Sequence, residues 1–130
     1  MTTTITFAGN LTDDAQLEHT REGKPFTTFR VLVNRRTTNE DGEWVDAEPT
    51  AHNVRVFGTA APNVHDSFGR GDRVLVHGLL KTDAWIDKES GEKRTRTVVE
   101  VNDRFGEVGA AMRWAAARIE RIPTAAPRAV

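Results

Sequence analysis

The sequence predicts an all-β fold: a small closed barrel with one short helix. Three observations carry this. Short runs rich in β-branched and aromatic residues alternate with polar ones at period two, as in Phe29-Arg30-Val31-Leu32-Val33 and Val54-Arg55-Val56-Phe57. Turn signals separate the runs, at Gly9-Asn10, Glu22-Gly23, Asp41-Gly42, Gly71-Asp72 and Ser90-Gly91. One stretch, Thr59 to Phe68, has Val64 and Phe68 at helical spacing and a stop at Gly69.

The elements follow in order. Ile5-Thr6-Phe7 alternates weakly and runs into the first turn, and residues 11 to 23 are polar. From Pro25 the alternation is clear, with Phe29, Val31 and Val33 on one face and Thr28, Arg30, Leu32 and Asn34 on the other. Glu40-Asp41-Gly42-Glu43 reads as the tip of a first hairpin. On its return arm Val54 and Val56 face inward, while Asn53, Arg55 and Phe57 face outward. The helix follows, and Pro62 fits only in its first turn. A strand from Arg73 opens a second hairpin with its tip near Ser90-Gly91, and Thr97 to Val101 returns. Several short strands with regular turns suit a small barrel. Met112 to Ile119 is open between a helix, which its alanines favour, and a strand or hook, the preferred reading. Residues 1–106 form the expected barrel domain, 107–122 an extension and 123–130 a frayed tail.

Composition excludes more than it proposes. With 18 Lys plus Arg against 19 Asp plus Glu, net charge argues neither for nor against nucleic acid, and only its distribution can. The chain has no Cys, which removes disulfides, thiolate metal sites and Cys nucleophiles and suits a reducing compartment. No signal peptide or membrane-length apolar run is visible, so the expected location is the cytoplasm. His19, His52, His65 and His77 are scattered without metal-ligand spacing, and there is no P-loop or GxGxxG. An enzyme is therefore not expected, nor any cofactor or metal.

Five short segments, taken in order, resemble the bacterial single-stranded DNA-binding protein family: Phe7-Ala8-Gly9-Asn10-Leu11, Phe29 to Arg35, Val54 to Gly58, Gly69 to Gly78, and Lys81-Thr82-Asp83-Ala84-Trp85-Ile86-Asp87. The resemblance spans roughly residues 3 to 119. It implies an OB-fold, a five-stranded Greek-key barrel. It also implies a homotetramer built as a dimer of dimers, which coats single-stranded DNA without sequence preference during replication, repair or recombination. Within it the extension is similar to an added strand that joins subunits in actinobacterial members.

Such binding needs flat rings for stacking and cations for phosphates. Phe57 and Trp85 stand where the resemblance places stacking rings; each could instead be a packing ring, Phe57 in the barrel and Trp85 in its hairpin. Trp44 could stack on a base or pin the first hairpin. The expected phosphate contacts are Arg30, Arg35, Arg36, Arg55, Lys81, Lys93, Arg94 and Arg96, against the bland reading of a solvated surface. Trp114 is expected at a subunit interface, and so is His52, on the family's matching His. Phe7, Phe26, Phe29 and Phe68 are expected in the core or as packing residues.

The departures from the family pattern point to an accessory, paralogous or phage-type member. Ala51 stands where an aromatic is usual, and Asn34 to Thr38 has no ring. The first hairpin carries Glu40, Asp41, Glu43, Asp46 and Glu48 and cannot be the main DNA arm. The family's acidic terminal tail has no counterpart in Pro127-Arg128-Ala129-Val130, so recruitment of repair enzymes through a tail is not expected. The alternative function is a protein-binding barrel, similar to primosome accessory proteins, with weak nucleic-acid binding. Single-stranded RNA is a further possible ligand.

Overall fold

The structure, a computed structural model, describes residues 2–123. Apart from Pro123, the tail expected over 123–130 lies outside the described residues. The elements are β1 (Thr4–Leu11), β2 (Gln16–His19), β3 (Pro25–Thr38), β4 (Trp44–Phe57), α1 (Ala60–Ser67), β5 (Arg73–Ile86), β6 (Lys93–Val101) and β7 (Glu107–Ala110).

Five strands close on themselves in the order β1-β3-β4-β6-β5, and β5 pairs back to β1. β1 makes the closure by pairing with β3 at Asn10↔Leu32 and Leu11↔Val31, and with β5 from Thr4↔Leu79 to Asn10↔Arg73. The β4–β6 pairing is parallel, the mark of a Greek-key path through α1 and β5. This is the barrel the sequence predicted. Full closure removes the open edges that an isolated sheet would present.

The period-two residues fill the interior. Val31, Val54, Val56, Val74, Val76, Val99 and Val101 are buried with Leu11 and Phe29. Branching at Cβ stiffens these side chains and suits them to a pleated, buried face. Where β1 crosses β3 the strands approach so closely that a Cβ on Gly9 would sit 2.5 Å from the Leu32 carbonyl oxygen. α1 covers one end of the barrel with Ala61 and Val64. Thr27, a buried polar residue of β3, donates its hydroxyl to the Ala61 carbonyl at 2.6 Å, so its burial leaves no unmet bond. Gly58 turns the chain from β4 into α1 at φ +86°, and the Asp103 carboxylate accepts the Thr59 N–H at 3.0 Å at the start of the helix.

Three features differ from the sequence reading. The polar run 11–23 contains β2, which pairs with β3 from Gln16↔Thr28 to His19↔Pro25. Its side chains are exposed apart from half-buried Leu17, so it shows no apolar alternation. The first hairpin has a bulge: Val33 pairs with Thr50 but Arg35 with Ala47, leaving one extra residue in β4 at Glu48-Pro49. Pro49 has no N–H to give a ladder, and a bulge is where a strand tolerates that. The extension over 107–122 holds one short strand, β7 at 107–110, whereas 112–119 is neither strand nor helix. β7 pairs up to Val74↔Ala110, and Ala111 still donates to Arg73 at 3.1 Å. There β5 begins, so the following residues have no further edge to join.

Candidate nucleic-acid interface

In-register partners on neighbouring strands share a face, so the pairings alone assemble the site. Val54 and Val56 point inward, which turns Asn53, Arg55 and Phe57 outward. Beside them on β3 stand Arg30, Thr28 and Phe26. On β6, Val98 lies beside Asn53 and Glu100 beside Arg55. On β5, Lys81 pairs with Val98, Asp83 with Arg96, and Trp85 with Arg94. These residues share the outer face of the sheet across β3, β4, β6 and β5, although Val98 itself is buried. Beside β2 this face deepens into a groove of about 930 Å³, with Arg30, Asn53, Arg55, Phe57 and Arg96 on one side and Asp13, Asp14 and Glu18 on the other.

The rings lie differently. Phe57 rests on Phe26, with centroids 5.4 Å apart and planes at 23°. Phe26 therefore packs on the outer surface rather than in the core, where the sequence reading allowed it. Phe57 also lines a second cleft of about 560 Å³ with Pro25 and Pro62, at the far end of the groove. Trp85 is 46% exposed, and the Arg96 guanidinium lies 6.0 Å from its ring centroid, within cation–π range.

The cations fall into two groups. Four are held by carboxylates: Arg55 by Asp83, Lys81 by Glu100 at 2.9 Å, Arg94 by Asp87 at 3.3 Å, and Arg36 by Asp46 at 3.7 Å. Among the described residues Arg30, Arg35, Lys93 and Arg96 make no ion pair. Asp87 also accepts the backbone N–H groups of Glu89 and Ser90; these, and less strongly Arg94, lower its pKa against some loss of hydration. That carboxylate therefore shapes the hairpin tip as well as pairing with Arg94.

The remaining expected residues lie elsewhere. Trp44 is at the end of the first hairpin, 66% exposed, and its carbonyl accepts from Arg36 at 3.1 Å. By strand alternation Arg36 keeps the face of Arg30, and Arg35 takes the opposite one. His52 stacks on Phe7 with centroids 4.2 Å apart, and burial lowers its pKa. Trp114 is 73% exposed, with the Arg73 guanidinium 4.7 Å and that of Arg113 5.6 Å from its ring. The sequence reading missed the carboxylates that pair with the site's cations. Asp83 sits two residues before Trp85, but only the register of β4, β6 and β5 shows that it meets Arg55.

A closed five-stranded barrel that exposes rings and guanidinium groups on one sheet face defines the class of oligonucleotide-binding barrels. Comparison with known proteins goes further: the chain belongs to the single-strand binding protein family, whose profile it matches over residues 2–106. It is 39% identical over 120 residues to the single-stranded DNA-binding protein of Mycolicibacterium smegmatis, covering 92% of this chain and 70% of that one. It is 40% identical to single-stranded DNA-binding protein 2 of Streptomyces coelicolor, covering 92% of this chain and 58% of the relative. Among solved structures, a Plasmodium falciparum SSB complex with ssDNA superposes with a TM-score of 0.71 at 18% identity, over 83% of this chain and 93% of that one. The small single-stranded DNA-binding protein from Streptomyces coelicolor does so with a TM-score of 0.67 at 22% identity, over 86% and 96%. At these identities the structural likenesses speak for the fold.

Proposed function

We propose that this chain binds single-stranded DNA without sequence preference and shields it during replication, repair or recombination. The observation that carries this is the surface across β3, β4, β6 and β5, where Phe57 and the half-exposed Trp85 alternate with Arg30, Arg55, Arg94 and Arg96. Every base has a π-face, so such rings accept any sequence, at about 1–3 kcal/mol per stacked base. Unpaired Arg30, Lys93 and Arg96 take phosphates first, and Lys81 joins them at the edge of the second hairpin. Trp44, Arg35 and Arg36 belong to the first hairpin, whose carboxylates keep the strand's main path away from it. Family membership supports a binding role with no catalytic step.

The working assembly in this reading is a homotetramer, a dimer of dimers, with His52 near one subunit contact and Trp114 at another. Its place of action is the nucleoid. No helix among the described residues is long and apolar enough to cross a membrane.

Specific observations favour the protein-binding alternative: Ala51 in place of a ring, and carboxylates on four of the expected phosphate contacts. Anisotropy titration of labelled oligo-dT separates the readings. Strand binding requires saturable association at low salt that duplex competitor does not reverse and that weakens as salt rises. Absence of association at low salt would leave the protein-binding role. Competition by oligo-U tells DNA from RNA.

A further inference from the structure

Of the groove's three cations, Arg30 and Arg96 make no ion pair among the described residues, but Arg55 is already engaged. Arg55 lines the groove, partly buried, and its guanidinium donates to Asp83 across β6. One step along the same face, Glu100 holds Lys81 at 2.9 Å and also accepts from Asn102 at 3.0 Å. Both carboxylates sit on the strands that carry the site, on the same outward face as its rings. A phosphate approaching Arg55 meets a guanidinium already engaged, next to a like charge.

We propose that Asp83 is an internal competitor for phosphate, an affinity-setting residue of this groove that the incoming backbone must displace from Arg55. The inference rests on the single-strand-binding reading and states how that site is held in check. While the pair is closed, Arg55 contributes no released counterion to binding. The groove then grips only with its unpaired cations, Arg30 and Arg96 foremost. Opening the pair adds one phosphate contact. Glu100 plays the same part for Lys81 at the exposed edge, where screening makes it weaker.

This has a signature that removal of any negative charge would not give. On single strands each neutralised phosphate adds about 0.7 to the slope of log affinity against log salt. Asp83→Asn keeps the side chain's size and frees Arg55. It is expected to raise oligo-dT affinity about five- to tenfold at low salt and to steepen the slope by about 0.7. In an Arg55→Gln background the same substitution is expected to change affinity less than about twofold, because the competition is gone. Glu100→Gln gives an independent second case, with a smaller gain that vanishes in Lys81→Gln. An equal effect of Asp83→Asn with and without Arg55 would reduce it to general repulsion and overturn the proposal. So would a loss of affinity in a variant whose thermal melt matches the parent. If the parent chain itself fails to bind oligo-dT, the strand-binding reading falls, and the latch falls with it.

Discussion

The two hairpins are built alike and charged differently. Each grows from a 14-residue strand that outruns the barrel, β4 in the first and β5 in the second, and each ends in an exposed Trp. Between Asn39 and Glu48 the first carries five carboxylates and no Lys or Arg. Between Lys81 and Arg96 the second carries five cations, Lys81, Lys88, Lys93, Arg94 and Arg96, against four carboxylates. A phosphate backbone carries one negative charge per nucleotide, so a shared geometry gives opposite expectations. In the proposed reading Trp85, beside the Arg96 guanidinium, stacks on a base. Trp44, among acids and beyond the bulge, does not in that reading. A ring on a strand becomes a base platform only when the charge around it allows the backbone to come near.

The largest expected difference is between the two rings. Trp85→Ala should cost oligo-dT binding about 1–3 kcal/mol, or roughly 5- to 150-fold in Kd. Trp44→Ala should cost less than about 0.5 kcal/mol, since no stacked base is lost. Equal losses would break the comparison. Next come the arginines. Arg96→Gln should flatten the salt slope by about 0.7, while Arg36→Gln, already paired with Asp46, should leave it nearly unchanged. A smaller effect follows from giving the first hairpin the second's sign. Glu40→Lys with Glu43→Lys should raise affinity no more than about threefold at physiological salt, where charges more than about 8 Å from the path are screened. A gain of an order of magnitude or more would place the strand along both arms.

The smallest expected effect lies off both hairpins, at His52. Burial against Phe7 lowers its folded pKa below the ordinary 6.5, so the unfolded chain takes up the proton first as pH falls. Its contribution to stability is whole above that value and is lost as pH drops from there to the lower folded pKa. Melting temperature should therefore decline as pH falls below about 6.5, the ordinary value, and His52→Gln should make that decline shallower.

How much of this was legible in the sequence follows from what period two can report. Alternation around Val54 and Val56 put Arg55 and Phe57 on the outer face, because a strand's pleat is a property of its own residues. The second hairpin's ring was singled out by the family resemblance of Lys81 to Asp87, and its cations by their clustering along one arm, not by alternation. β2 was not, because its exposed side chains carry no apolar beat. Nor was the Arg55–Asp83 pair, which joins strands that are not neighbours in sequence through a parallel β4–β6 ladder. For Phe26 the core and packing alternatives stayed open because Pro25 starts its strand, and only the pairing with Phe57 fixed its side. The end of β7 was hidden for a related reason: alanines from 110 to 117 carry no alternation, and what stops the ladder is where β5 begins.

The most direct test uses a chain with one indole. In the variant Trp44→Phe with Trp114→Phe, all tryptophan emission comes from Trp85. Saturating oligo-dT at low salt should quench most of it, and rising salt should restore it as the strand dissociates. Emission that stays constant while anisotropy reports bound oligo-dT would contradict the account, for the strand would then be held without stacking on the second hairpin's ring.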